Sequence, residues 1–369
     1  MQDESKDLQV GIVTIHPVHG ECKVTFVGED RVGVEFENGR HALLPKSSFS
    51  PDDEETRLEL ARIAEASKPR PATWPENTFV PEPSNTKHFM GSHWDPFEED
   101  RTAVLKRLPE MLAKAQLQKG YGQFYAAVRA VPTDWPRGAH LIWPGPEHGV
   151  TVTLRSEKTA NMVTSIYPCI GGASEVSVRI DRVLVWEGGV EAQIDAEWNG
   201  VPVTFFDTHF LINRAWYEAG ESYNFILAGL AYAAKPSEIM ELPFTPNPEQ
   251  VAWERVLAEL NGTPAPAEPK SLSLKGMAIL MPVSDWDADD YSFRGPVKSV
   301  KPADQVLGQE AWRVRITVMR CDDQDMDLDV FITHRVWQGK LPPQVGDDVE
   351  GHLWLQGRLW SVERGQGNQ

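Results

Sequence analysis

Residues 201–212 read VPVTFFDTHFLI, a run of β-branched and aromatic residues typical of a strand that ends in a polar corner. Two similar runs precede it, and short turn signals separate all three, as between successive antiparallel strands. These runs and turns are EVSVRIDRVLVWE at 175–187, Gly188-Gly189, VEAQIDAEW at 190–198 and Asn199-Gly200. The sequence therefore predicts a small β module over residues 172–240.

The corner FDTH at 206–209 has a counterpart in FITH at 331–334. After each corner comes a glycine followed by an acid, and then an apolar run that ends in a glycine and a leucine. The matched elements are Gly220-Glu221 with Gly346-Asp347, and Gly229-Leu230 with Gly357-Arg358-Leu359. This short repeat predicts a second β module over 271–363, so we expect two tandem OB-like β-barrel modules.

Residues 8–50 read as a further compact barrel. The runs VGIVTI, CKVTFV and RVGVEF are short and β-rich, and turn signals separate them. Val32, Val34 and Phe36 alternate with smaller or charged residues, which is the period of a strand with one buried face. Several short strands in so few residues predict an SH3-like barrel.

This first block resembles the Tudor-like and CarD-like modules of bacterial helicases and transcription factors. The resemblance is carried by GIV at 11–13, the turn HPVHG at 16–20 and the hairpin VEFENG at 34–39. It implies a protein-binding module, with His16, Pro17 and His19 of the turn as candidate contacts. The chain departs from that pattern because basic residues do not follow the turn. The alternative interpretation is that these residues only make a tight turn.

The segments between the modules contain helices and many prolines. A helix and then a Pro-rich linker or strap are predicted over 51–95, a helix and a mixed segment over 96–168, and a Pro-rich linker with one helix over 241–270. The expected fold class is therefore mainly β with helical connectors, or α+β.

Charge restricts the partners of this chain. The formal net charge is −18, with 54 acidic residues against 36 basic ones. Nucleic acid is disfavoured because phosphate contacts need clustered Lys and Arg, and an anionic membrane surface is disfavoured for the same reason. No apolar run is long enough to span a bilayer, the first residues do not resemble a secretory leader, and the cysteines are few and scattered. We therefore expect a cytoplasmic protein without disulfides.

The strongest candidates for chemistry are Asp207 and His209, which are two residues apart at the end of a strand. A metal site needs three or four converging ligands, and His334 has Ile332 where an acid would be required. Two runs, DWDAD at 285–289 and DMDLD at 325–329, have the spacing of calcium ligands but lack the other residues of an EF-hand loop. We expect no metal and no cofactor, and predict a structural role for His209 and solvated loops for the aspartates.

The preferred hypothesis is a non-enzymatic interaction or adaptor protein that docks on a protein partner through its small barrels. Tryptophan is abundant, with 13 in the chain, and Trp354 and Trp360 are candidate partner contacts. An alternative is single-stranded nucleic-acid binding by the OB-like modules, with Arg313, Arg315 and Arg320 as candidate residues. A second alternative is an enzyme with an unrecognised carboxylate and histidine site near Asp207 and His209.

Overall fold

The structure is a computed structural model of the whole chain, and its description covers most of the residues. The described residues are 8–16, 20–28, 31–36, 41–46, 75, 77–82, 91–118, 134–145, 148–158, 160–172, 174–239, 241–243, 247–264, 271–321 and 324–361. The Pro17 and His19 predictions, the predicted helix after residue 51 and the acidic residues 322–323 lie outside them.

The chain is mainly β, as the turn and strand patterns predicted. The strands of the described residues are β1 Val13–His16, β2 Gly20–Val27, β3 Arg31–Phe36, β4 His41–Pro45, β5 Phe79–Pro81, β6 Gln116–Leu117, β7 Gly138–Pro144, β8 Gly149–Ser156, β9 Asn161–Cys169, β10 Glu175–Val185, β11 Ala192–Trp198, β12 Val201–Asp207, β13 Ser222–Pro236, β14 Glu241–Pro243, β15 Ser271–Ser273, β16 Ile279–Pro282, β17 Asp290–Val306, β18 Gln309–Cys321, β19 Gln324–Thr333 and β20 Asp348–Ser361.

The helices are short and few. In the described part of the chain they are α1 Thr102–Lys114, α2 Phe210–Asn213, α3 Pro248–Leu260 and the 3₁₀ helices Ser92–Trp94 and Arg214–Trp216. None of them has both the length and the apolar character that a membrane-crossing helix needs. Helix α1 begins at Thr102, later than the sequence predicted, and continues past Pro109. The Asp100 carboxylate accepts the Thr102 N–H at 3.0 Å just before the first turn.

The strand pairings of the largest sheet close two rings of five strands. In the first ring, β10, β11 and β12 pair in antiparallel order, β12 pairs in parallel with β20, and β13 closes the ring between β20 and β10. In the second ring, β17, β18 and β19 pair in antiparallel order, β19 pairs in parallel with β13, and β20 closes the ring between β13 and β17. Both rings therefore contain β13 and β20.

The two rings share these two strands, and each strand pairs with both blocks. Strand β13 follows the first FDTH corner in sequence, yet it pairs in parallel with β19, which carries the second corner. Strand β20 follows the second corner, yet it pairs in parallel with β12 at Phe206 and Asp207. The segments predicted as tandem modules are thus joined through a long antiparallel ladder from Asn224–Ser361 to Pro236–Val349.

One continuous apolar cluster fills both rings. It includes Phe205 of β12 and Phe225 of β13, together with Ile316 of β18 and Leu355 and Leu359 of β20. Because the cluster runs through both rings without interruption, the rings share one core.

A second layer covers one side of the rings. Strands β6 to β9 form a four-stranded sheet, and α1 contacts its strand β7. A second apolar cluster lies between this layer and the rings, and it includes Trp94, Met111, Ile166, Phe206 and Trp354. This layer brings residues 91–170 against the corner that follows β12.

The N-terminal strands β1 to β4 pair in sequence order as a separate four-stranded sheet. Its own apolar cluster is small and contains Cys22, Val24, Val32, Val34 and Leu44. Phe26 of this sheet packs edge-on against Trp360 at the end of β20, with ring centroids 5.5 Å apart. The cysteines Cys22, Cys169 and Cys321 are all free thiols.

Gly351 tests the close approach of the two shared strands. A Cβ atom at this position would lie 2.0 Å from the carbonyl oxygen of Ala233 on β13, so an added methyl group forces the backbones apart. We expect Gly351→Ala to lower the free energy of unfolding by about 2 kcal/mol in urea titrations. Gly91→Ala is the matched control, because no atom lies within 4 Å of its Cβ position and its φ is −86°. An equal loss in both variants contradicts the strand pairing.

Candidate functional site

The corner at the end of β12, residues 207–217, contains several buried polar side chains. Helix α2 and the 3₁₀ helix Arg214–Trp216 follow the end of the strand directly. On one side the corner holds a buried polar network around Asp207 and His209. On the other side Phe210 and Arg214 line a pocket.

Asp207 is buried and both of its carboxyl oxygens are engaged. Oδ1 accepts the backbone N–H of His209 at 2.9 Å, and Oδ2 accepts the hydroxyl of Tyr217 in a short hydrogen bond. Burial raises the pKa of Asp207 to about 7, although the hydrogen bonds from Tyr217 and from the His209 N–H act in the opposite direction. The carboxyl group therefore ties the start of the corner to its end at Tyr217.

His209 is buried and both of its ring nitrogens are engaged. The side-chain nitrogen of Gln118 lies 2.6 Å from Nε2, and the Thr208 hydroxyl lies 2.8 Å from Nδ1. With Gln118 donating to Nε2, Nδ1–H donates to Thr208, which donates in turn to the carbonyl of Gly357 at 3.1 Å. Burial, with the charges of Arg358 and His140, holds the pKa of His209 well below its usual range. This neutral imidazole links the corner to β20.

His140, on β7 of the covering sheet, packs beside this network. Its ring stands edge-on to His209 at 6.4 Å, and neither of its nitrogens has a hydrogen-bond partner among the described residues. Burial lowers the pKa of His140 to about 3, with a further contribution from Arg214. Within the described part of the chain, no three His, Cys, Asp or Glu side chains converge as metal ligands.

The repeat motif does not create an equivalent environment in the second ring. His334 is exposed, its ring lies 3.9 Å from that of Trp312 between centroids at a tilt of 33°, and its Nδ1 lies 3.3 Å from the Glu310 carboxylate. Thr333 bonds to the carbonyl of Pro96, whereas Thr208 bonds to Gly357. The second corner therefore anchors the segment before α1.

The pocket beside the first corner has a volume of about 570 Å³ and mostly apolar walls. Phe79 and Trp135 form one wall as a half-exposed edge-to-face pair, with ring centroids 4.9 Å apart at 77°. Trp186 and Phe210 are buried and form the floor. The remaining lining residues are Pro81, Glu82, Pro136, Val185, Glu187, Gly189 and Arg214.

Arg214 holds the pocket walls together. Its guanidinium carbon lies 4.9 Å from the centre of the Trp135 ring, a cation–π contact. One terminal nitrogen donates to the carbonyl of Gly189 at 3.1 Å, and the other donates to the carbonyl of Pro136 in a short bond. Burial lowers the pKa of Arg214 to about 10, so the group stays charged at neutral pH. Arg214 thus fixes the loop of Trp135 to the corner.

Two carboxylates mark the opening of the pocket. Glu187 is exposed and Glu82 is half-buried, and neither forms an ion pair with any residue that the structure describes. Strand β5, which brings Phe79 and Pro81, pairs in parallel with β10 and has only three residues. The pocket is therefore an aromatic cleft with acidic groups at its mouth.

The predicted partner contacts Trp354 and Trp360 are not on an open surface. Trp354 is 0% exposed, stacks on His93 at 3.9 Å and donates its indole N–H to Asp289 at 2.9 Å. Trp360 is half-buried against Phe26. His16 is the last residue of β1.

Asp289 was predicted in a solvated loop. This prediction is wrong, because the Asp289 side chain is buried just before β17 and accepts the indole N–H of Trp354. Asp289 and Asp290 are buried, and burial raises their pKa values to about 7 and about 6. Tyr232 donates to Asp290 at 2.7 Å and also contacts His93 Nδ1. The two carboxyls are part of the packing between β17, β20 and the His93 turn.

The predicted nucleic-acid residues lie on β18, where carboxylates face two of them. Arg315 lies 3.3 Å from Asp327, and Arg320 lies 2.8 Å from Asp325, which also pairs with Lys298. Arg313 is partly exposed on the same strand. These ion pairs reduce the positive charge of the face. Asp325, Asp327 and Asp329 lie in β19 and Asp329 is buried, so the solvated loop predicted for this run is wrong.

The sequence missed the pocket because its walls come from four distant segments. Phe79 lies in β5, Trp135 in the loop DWPRG, Trp186 after β10, and Arg214 in the corner. The available signal was the presence of aromatic residues within proline-rich loops, where a core position is not expected.

An exposed apolar stripe on α3 lies away from both sites. Trp253, Val256, Leu257 and Leu260 are spaced to share one helix face, and Trp253 is 62% exposed. Trp253 therefore provides a matched surface control for substitutions of pocket tryptophans.

Comparison with protein-family models, with curated proteins and with solved structures found no match to this chain.

Proposed function

We propose that this chain is an interaction protein that docks on a partner protein by binding an extended segment of it in the aromatic pocket. The observation that carries the proposal is the half-exposed Phe79–Trp135 pair over a buried floor of Trp186 and Phe210. Concave apolar sites with few polar groups are typical binding sites, and aromatic rings are typical anchors of interfaces.

Rigidity supports binding at this pocket. Arg214 bonds to two carbonyls and packs on Trp135, and the corner that carries Arg214 is itself held by Asp207 and Tyr217. A preformed site loses less conformational entropy when it binds than a site that must be ordered. The buried network is therefore proposed to act as the support of the pocket.

The fold interpretation belongs to the same proposal. Each ring has three antiparallel strands, a parallel pairing of the third strand, and two further antiparallel closures, which is the arrangement we expect of an OB-type barrel. We interpret the rings as two OB-like barrels that share the strands β13 and β20. The sheet β1–β4 fits an SH3-like or Tudor-like module that adds a second docking surface.

The two alternatives have weaker support. Nucleic-acid binding at Arg313, Arg315 and Arg320 would have to displace the carboxylates of Asp327 and Asp325. Catalysis at Asp207 and His209 has weaker support because internal hydrogen bonds engage both carboxyl oxygens and both ring nitrogens of these buried residues. Binding of a polar sugar in the pocket would need more hydrogen-bonding groups than its apolar lining offers.

Trp135→Ala tests the proposal. Affinity capture from the native host, followed by identification and purification of the captured protein, gives a defined pair for titration. We expect Trp135→Ala to weaken binding about thirtyfold, because a buried interface tryptophan commonly contributes at least ~2 kcal/mol. Trp253→Ala is expected to bind like the unmodified chain. Equal binding by all three proteins, or Trp135-dependent binding of an oligosaccharide without any protein partner, contradicts the proposal.

A further inference from the structure

The pocket also indicates the chemistry of its ligand. Resting on the proposed docking function, we propose that the bound segment is proline-rich, adopts an extended polyproline conformation and carries a lysine or arginine. Three observations lead to this ligand class: the aromatic walls, the poor edge of β5 and the charge at the mouth.

The aromatic walls suit proline rings. Phe79, Trp135, Trp186 and Phe210 surround a cavity of about 570 Å³, and Pro81 and Pro136 extend its apolar surface. Proline-rich segments bind in grooves lined by aromatic rings, because the segment is already extended and loses little entropy when it binds. A groove of this kind needs few hydrogen bonds to the ligand backbone.

The edge of the sheet is unsuited to the other common mode, in which a peptide adds a β-strand. β5 is the outermost described strand beside β10, but it has three residues and ends in Pro81. Proline has no N–H to donate to a neighbouring strand, so a new ladder along β5 would be short and interrupted. A ligand that binds through its rings is favoured over a ligand that binds through its backbone.

The charge at the mouth favours a cation on the ligand. Glu82 and Glu187 both line the pocket, and neither forms an ion pair with the described residues. The positive charge of Arg214 is directed to the carbonyls of Gly189 and Pro136 and to the Trp135 ring. The whole chain carries a net charge of −18, which also attracts basic segments. A lysine or arginine beside the prolines therefore complements the two carboxylates.

The test uses defined peptides and the full chain. The probe is a fluorescein-labelled peptide Ala-Pro-Pro-Leu-Pro-Pro-Arg, measured by fluorescence anisotropy at low salt. One comparison peptide replaces the arginine by glutamate, and a second replaces every proline by alanine. We expect the glutamate peptide to bind about tenfold more weakly, and the alanine peptide to lose most of its binding.

Variants of the chain assign the two contributions. Trp135→Ala is expected to abolish binding of the arginine peptide, whereas Trp253→Ala leaves it unchanged. The double variant Glu82→Gln with Glu187→Gln is expected to lose most of the preference for the arginine peptide over the glutamate peptide, because it removes the two carboxylates that line the pocket. Near-ultraviolet circular dichroism confirms that each variant keeps the native packing.

The outcomes separate this inference from the docking function. Equal affinity for the arginine and glutamate peptides overturns the charged part of the ligand class, and equal affinity for the alanine peptide overturns the proline part. If no peptide binds while a purified partner still binds in a Trp135-dependent way, the ligand class is wrong and the docking function stands. If neither a peptide nor a partner depends on Trp135, both proposals fail.

Discussion

Replacing Trp354 by alanine is expected to lower the free energy of unfolding by about 4 kcal/mol, the usual effect of deleting a fully buried tryptophan. Trp354 is 0% exposed, and its ring contacts His93 and Phe206 at centroid distances of 3.9 and 5.2 Å. Its indole N–H is also the donor to the buried carboxyl of Asp289. The variant therefore leaves a cavity and removes one of the hydrogen-bond donors of a buried acid in the same place.

Urea unfolding followed by tryptophan-independent circular dichroism measures the loss. Trp354→Phe keeps most of the packing but removes the donor, so we expect a smaller loss of about 2 kcal/mol. Trp253→Ala on the exposed face of α3 should change stability by no more than about 0.5 kcal/mol. If Trp354→Ala behaves like this surface control, Trp354 is not at the junction of the rings and the covering layer.

Asp207→Asn is expected to change the pH dependence of stability. The pKa of Asp207 is about 7 in the folded chain, against about 3.9 for an unfolded aspartate. Between these values the folded state holds a proton that the unfolded state has released. The stability due to this group is therefore full below about pH 4 and is lost as the pH rises towards 7. Asparagine cannot titrate and does not show this loss.

The measured quantity is the free energy of unfolding of the unmodified chain minus that of Asp207→Asn. We expect this difference to fall by about 3 kcal/mol between pH 5 and pH 8, since one pKa unit corresponds to about 1.4 kcal/mol. The buried groups His140, His209, Asp289 and Asp290 are present in both proteins, so their titration cancels. Tyr217→Phe removes a hydrogen bond that lowers the Asp207 pKa, and should steepen the loss. A constant difference across this pH range contradicts the buried position of the carboxyl group.

The individual strands were predictable because their signals are local. At the turn Asn199-Gly200, both residues have positive φ, 49° and 79°, as the sequence pair predicts for a two-residue hairpin. The repeat of the FDTH corner also led to two equivalent three-strand blocks. No local pattern distinguishes a ring built from the strands of one block from a ring that also contains the last strand of the other block. The same apolar residues would be buried in both cases. The sharing of β13 and β20 between the two rings therefore could not be predicted from the sequence.

The candidate site was predictable only in part. Asp207 and His209 were singled out as candidates from their spacing, and a structural role for His209 was predicted from the missing ligands. The environment of Asp289 could not be predicted, because its burial depends on Trp354, which is 65 residues further along the chain. The pocket depends on contacts such as Arg214 with Trp135 and Trp135 with Phe79, which join segments that no periodic pattern connects.

The position of β20 has a consequence for how the protein is made. Residues 348–361 complete the ring that begins at residue 175, so a growing chain on the ribosome cannot close its first ring until nearly all of the second block has emerged. During that time β12 and β13 have apolar residues without their final neighbours, and they are exposed to wrong pairing or to a chaperone. A fragment that stops before residue 348 is expected to leave both rings open.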